Sequence, residues 1–312
     1  MDVPQPDEHD ETLKGHASEP RICDYEDSDY RRDFWENADR DYEDAAERLA
    51  LRDLLPPDGG RLMEIGAGFG RLAAEYEAYE ETILLDYAQS MVEDAHSLHG
   101  DRYTYVCADL YQLPLASGSL DAVVQVRVLH HVEHIEAAFA EVSRVLRDGG
   151  VYVLEFANKR NLKSILRFAA RRQSENPFDQ TPYEFVELNW NFHPAHVERA
   201  LSSSGLAIEA RRSVSHFRIP AVKRLIPAST LARLDHAVGG PLAALALAPS
   251  QMVLARKHGE SQTRSDALWR CPSCGNEPLK TEDHSVPCPS CGQVWPIVNG
   301  IHIFRDTGVA GM

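Results

Sequence analysis

Glu64, Gly66, Gly68 and Gly70 stand at every second position of Leu62-Met63-Glu64-Ile65-Gly66-Ala67-Gly68-Phe69-Gly70-Arg71-Leu72. Glycines spaced this way let the backbone approach a ligand closely, and a helix starting beyond them offers exposed N–H donors. A buried strand running into such a turn is where a nucleotide-like cofactor binds. A dinucleotide fingerprint would need a small residue at position 71, where helix and strand pack tightly, and position 71 is Arg. Further on, Thr82-Ile83-Leu84-Leu85 ends in Asp86, a carboxylate at a strand tip able to accept hydrogen bonds from both ribose hydroxyls.

A second constellation is Cys271-Pro272-Ser273-Cys274-Gly275 with Cys288-Pro289-Ser290-Cys291-Gly292. Two Cys-x-x-Cys knuckles place four thiolates for one tetrahedral Zn2+, and each following Gly permits the tight turn around sulfur. Cys271, Cys274, Cys288 and Cys291 are the expected metal ligands, in a closed and therefore structural site. A segment of about forty residues has too little core to fold without such a staple. Cys23 and Cys107 have no partner in sequence, and Cys107 reads as a buried small residue.

These side chains need elements to hold them. A helix is expected from Leu72 to Tyr79, then strands at 82–86, 103–107, 120–126 and 151–156, with a helix from 137 to 146. Strands at 206–217 and 251–256 complete a set of seven. Acidic-x-Gly-x-Gly-x-Gly, followed by acids at the tips of the second and third strands, resembles class I S-adenosylmethionine-dependent methyltransferases of the broad small-molecule type. The resemblance implies an α/β fold with a doubly wound, mostly parallel seven-stranded Rossmann-like sheet. It also implies cofactor contacts from Glu64, Gly66, Gly68, Gly70, Asp86 and Gln125, with Asp109 on the adenine amino group and Leu110 against the ring. The run Val294-Trp295-Pro296-Ile297-Val298-Asn299-Gly300-Ile301 resembles the zinc-ribbon proteins that partner and activate transfer-RNA and release-factor methyltransferases, with Trp295 in place of their Tyr and His302 in place of their Pro.

The expected organisation is an acidic disordered tail at 1–24, a methyltransferase domain at 25–257, a linker at 258–266 and a zinc ribbon at 267–306. The domain would include N-terminal helices at 25–55, marked by Tyr30, Phe34, Trp35, Tyr42, Leu49 and Leu54. It would also carry an apolar insert at 219–248, read as two helices around Gly239-Gly240. Residues 159–172 form a cation-rich amphipathic stretch that can bind an anionic group, a membrane surface or RNA phosphate, or can simply be solvated. A net charge of −16 disfavours a general nucleic-acid surface. With no long apolar run and no signal-peptide pattern, a soluble, cytoplasmic protein is expected, peripheral membrane contact remaining open and oligomeric state unread.

Methyl transfer from a sulfonium is a displacement whose leaving group departs neutral, so alignment alone can supply about 7–11 kcal/mol. A base is needed only if the acceptor loses a proton. His130 and His131 are the candidate bases, although either can instead cap or pack the following helix; His131 with His134 is a weaker candidate metal pair. Gln125-Val126-Arg127-Val128 stands where many amine and amide methyltransferases carry Asn/Asp-Pro-Pro-Tyr, which disfavours those acceptors. A second polar-aromatic cluster, Tyr183, Glu184, Trp190, Asn191, Phe192 and His193, is a candidate acceptor wall. The acceptor expected is a small lipophilic or anionic molecule enclosed by the N-terminal helices, the basic stretch and the insert. The alternatives are an RNA or translation-factor methyltransferase with a fused activator ribbon, and a non-catalytic cofactor-binding scaffold.

Overall fold

A computed structural model describes residues 20–26, 40–259 and 263–305. Tyr30, Phe34 and Trp35, and most of the acidic tail, lie outside them. After α1 (Asp41–Leu54) the chain enters β1 (Gly59–Ile65), β2 (Tyr79–Asp86), β3 (Thr104–Cys107), β4 (Leu120–Gln125) and β5 (Leu146–Ala157). These five strands are parallel in the order β3-β2-β1-β4-β5. Runs such as Ala122-Val123-Val124 are buried on both faces, as a parallel sheet covered by helices requires. The cover comes from α1, α2 (Gln89–His99) and α3 (Ile135–Val145). The chain winds outward from β1 through β2 to β3, then returns to place β4 on the other side of β1. That reversal opens a crevice at the carboxyl ends of β1 and β4, where open α/β sheets bind ligands.

The helix expected at 72–79 is only one 3-10 turn, Ala73–Tyr76, because β2 already starts at Tyr79. Beyond β5 come α4 (Leu162–Ala169), a separate hairpin of β6 (Tyr183–Val186) and β7 (Asn189–Asn191), α5 (Pro194–Ser203) and β8 (Leu206–Val214). The insert holds α6 (Pro220–Leu225) and α7 (Ala228–Gly239), then β9 (Ser250–Lys257) runs antiparallel between β5 and β8. Both helices come before Gly240, with α7 ending on Gly239, and only a 3-10 turn, Ala243–Leu245, follows the pair. Gly239 closes α7 against β8, where a Cβ would come 2.6 Å from the Ser213 carbonyl oxygen.

The sheet has ten strands, not seven. The ribbon supplies β10 (Ser285–Pro287), β11 (Val294–Val298) and β12 (Ile301–Ile303), and β12 lies parallel to β3 with Ile301 opposite Tyr105 and Ile303 opposite Cys107. Asn299 and Gly300, at φ +50 and +81, turn the β11–β12 hairpin as a tight two-residue loop demands. The physical reason for the longer sheet is that β3 would otherwise leave an open edge, and β12 pairs with it. Trp269, Leu279, Val286, Trp295 and Phe304 of the ribbon join the same buried cluster as Met63, Val106 and Leu113. The far end of the linker is fastened too, with Ser265 N–H donating to the Gly118 carbonyl at 3.0 Å. No helix among the described residues is long and apolar enough to cross a membrane.

Candidate functional site

Gly66, Gly68 and Gly70 carry φ of +68, +55 and +75 in the turn after β1. A Cβ at Gly66 would lie 2.2 Å from Val128 Cγ2 and one at Gly70 2.8 Å from His99 Nε2, whereas one at Gly68 would meet nothing within 4 Å. Two glycines thus serve close packing and the third borders open space in the crevice. At the tip of β2, Asp86 accepts from the N–H groups of Gly68 at 2.8 Å and Ala88 at 3.1 Å. Burial raises its carboxyl despite those donors. Asp109, at the end of β3, accepts from Tyr111 N–H at 2.8 Å, and burial raises it as well.

The crevice encloses a cavity of about 100 Å³ that opens into solvent at its mouth. Gly66, Gly68, Asp86, Asp109, Leu110 and His131 line it. Glu64 lines a small adjoining recess with Gly66, Gly68, Arg71 and Arg127. Its Oε2 is buried without a hydrogen-bond partner, and burial pushes its carboxyl up to about 8. Gln125 lines neither space; it is buried, its Oε1 accepting from the Tyr152 hydroxyl. His130 does not line the crevice either, and burial drives its imidazole down to about 3, so it stays neutral through the physiological range.

His131 is better placed. Its Nδ1 lies 3.0 Å from the Leu188 carbonyl oxygen and its Nε2 3.0 Å from the Tyr25 hydroxyl. A carbonyl can only accept, so Nδ1 carries the proton and Nε2 accepts from the phenol. Burial lowers the imidazole, keeping it available as a base. The backbone N–H of His134 donates to the Tyr111 hydroxyl, and His134 does not line the crevice.

Residues 20–24, which the sequence places in the acidic tail, lie against the domain in the structure. Arg21, Ile22 and Cys23, with Tyr25, line the crevice. They stay there because Arg21 Nη2 binds Glu133 at 3.0 Å and Glu184 at 3.1 Å, with its guanidinium 6.0 Å from the Trp190 ring. Arg127 is a further wall residue that sequence reasoning missed; its guanidinium pairs with buried Glu47 of α1 at 2.5 Å, as does that of Arg71 at 3.0 Å. The polar-aromatic cluster splits: Glu184 and Trp190 meet Arg21, while Phe192 is core and His193 caps α5 by accepting from Ala195 N–H. No residue of α4 or the insert lines the crevice, so they do not enclose it as expected. The wall is completed by the much nearer segment 21–25.

The four ribbon cysteines bring their sulfur atoms within 4.8 Å of one another, and no other such group of His, Cys, Asp or Glu occurs among the described residues. An all-thiolate set of this size suits a tetrahedral Zn2+.

Residues 63–154, from β1 into β5, match the family described as "Methyltransferase domain". That match takes in only part of the chain. The chain is 35% identical over 116 residues to an uncharacterized chloroplastic methyltransferase of Arabidopsis thaliana, covering 34% of this chain and 33% of the relative. It is 30% identical over 154 residues to the malonyl-[acyl-carrier protein] O-methyltransferase of a Methylovorus species, covering 46% and 50%. The chain thus spans a third to a half of these relatives. A solved S-adenosylmethionine dependent methyltransferase from Mesorhizobium loti superposes with a TM-score of 0.51 at 25% identity, over 68% of this chain and 98% of that one. The crevice fits that cofactor: Asp86 offers a carboxylate and Gly68 leaves open space.

Proposed function

We propose that the chain transfers a methyl group from S-adenosylmethionine to a small lipophilic or anionic acceptor admitted beneath residues 21–25. The observation that carries this reading is the Tyr25–His131 pair in the crevice wall, beside the cofactor residues Asp86 and Gly68. When bound, the cofactor supplies an electrophilic methyl on a sulfonium that leaves as a neutral thioether. An acceptor hydroxyl or enol gives its proton to the Tyr25 oxygen while the Tyr25 proton passes to His131 Nε2. The Leu188 carbonyl, accepting from Nδ1–H, steadies the imidazolium that results. Ile22, Leu110 and Val128 give the wall apolar surface, and Arg21 and Arg127 border it with guanidinium groups that are already paired with Glu133, Glu184 and Glu47. The malonyl acceptor named for the Methylovorus relative is itself anionic, which favours that class. One zinc ion on Cys271, Cys274, Cys288 and Cys291 staples the ribbon, leaving no position for water or substrate.

The test is to incubate the full chain with methyl-labelled S-adenosylmethionine and separate organic, polar metabolite and RNA fractions of a cell extract. Label is expected in a nuclease-resistant small molecule, and to fall at least a hundredfold with His131→Gln, a loss typical of removing a general base. Label confined to RNA would overturn the acceptor class, and a chain that neither binds the cofactor nor transfers label would overturn the enzyme reading.

A further inference from the structure

Arg305 stands two residues beyond β12 and does not line the crevice itself, yet its guanidinium reaches the segment that does. It donates to Glu26 Oε2 at 2.6 Å and to Asp24 Oδ2 at 3.3 Å, and its Cζ lies 4.8 Å from the centre of the Tyr87 ring. Tyr87 lines the crevice next to Asp86. Glu26 is shared in turn, its two oxygens accepting from Gln89 N–H at 2.8 Å and Ser90 N–H at 2.9 Å in the first turn of α2. The segment over the crevice is therefore held at both ends, by Arg21 on Glu133 and Glu184 and by Arg305 on Asp24 and Glu26. Between those holds stand Ile22, Cys23 and Tyr25.

Magnitudes separate the two contacts of Arg305. Asp24 is well exposed and its pair is long, so it contributes little. Glu26 is already fixed by two backbone donors, and Arg305 is only 14% exposed. Pairing them loses little further side-chain freedom, so this contact has a net effect.

We propose that Arg305 is a positioning residue for the cofactor site: by clamping Glu26 it holds residues 22–25 across the crevice and sets the Tyr25 hydroxyl on His131. The ribbon's last strand thereby orders a wall of the methyl-donor site through one side chain. The inference rests on the crevice being an S-adenosylmethionine site.

The experiment measures S-adenosylhomocysteine binding to the zinc-loaded full chain by calorimetry, with hydrogen exchange followed in a peptide spanning 20–26. Arg305→Ala is expected to weaken binding about five- to tenfold, less than the loss of a direct charged contact because Arg305 acts on the site through Glu26, and to speed that exchange. Zinc content should not change, and Arg305→Lys should recover part of the affinity. In a Glu26→Gln background the effect of Arg305→Ala should shrink, because the partner is already lost. Unchanged affinity and exchange in Arg305→Ala, or effects that simply add in the double variant, would overturn the proposal. If Arg305→Ala does not fold, Glu26→Gln decides alone, and its binding like the parent with exchange unaltered would overturn it. Failure of the parent chain itself to bind would overturn the cofactor reading instead.

Discussion

Three positions in the crevice, Asp86, Gly66 and Gly68, separate binding from folding. Asp86→Ala removes the carboxylate proposed to accept from the ribose hydroxyls, and a hydrogen bond to a charged group is worth about 1.5–3 kcal/mol, so calorimetry should find S-adenosylmethionine bound at least tenfold more weakly. The glycines divide in the opposite sense. Gly66→Ala combines a left-handed φ with a Cβ 2.2 Å from Val128, and should cost about 2 kcal/mol or more of stability in urea. Gly68→Ala meets no atom, so its stability loss should stay near the 1–2 kcal/mol of the φ strain alone, about the least the turn permits, while cofactor affinity falls more than it does in Gly66→Ala. Glu64 supplies a pH test. Its folded-state carboxyl sits near 8 because of burial, above its unfolded value, so the folded state holds the proton longer. Its stabilising contribution is complete below the unfolded pKa and is lost as pH rises through about 8. The melting temperature of the parent minus that of Glu64→Gln should therefore fall between pH 5 and 8, and a flat difference would contradict the assignment.

The ribbon strands meet the sheet through Trp269 as well as through β12. Trp269 bridges Leu115 on one side and Leu279 on the other, is 3% exposed, and donates from its indole N–H to Thr281 Oγ1 at 3.0 Å. Trp269→Ala should cost about 3–5 kcal/mol and shift the urea midpoint equally by near-ultraviolet and far-ultraviolet dichroism. The sequence could announce the elements but not this junction. The glycine turn, Asp86 and the cysteine knuckles are legible because local spacing and residue chemistry specify them. The parallel run of β1, β4 and β5 is legible because both faces are apolar. What holds residues 20–26 is not local: Arg21 reaches Glu133 across 112 positions and Arg305 reaches Glu26 across 279. A charged, weakly apolar segment therefore reads as a tail until its partners are in place. Likewise, nothing in the β3 sequence says which strand will close its edge.

At the scale of the molecule, a polar linker and a four-cysteine module suggest two units that melt separately, while the shared core argues for one. Cys271 and Cys288 are buried in the same cluster as Trp269, Val106 and Met63, so the four-cysteine group and the sheet support each other across a continuous apolar contact. Loss of zinc would leave four thiols crowded around nothing and a ribbon too small to hold its own core. The surface it covers, β3 with Tyr105 and Cys107, would then be an exposed sheet edge. Calorimetric scans of the full chain should show one transition that moves down by at least about 5 °C on chelation, a shift of about 2 kcal/mol for a protein of this size, and that recovers when zinc is returned. Cys271→Ser with Cys288→Ser should reproduce the lowered transition without chelator and retain no stoichiometric zinc by elemental analysis. Two transitions, of which only the smaller responds to chelator, would mean that the ribbon is attached to the methyltransferase domain without stabilising it.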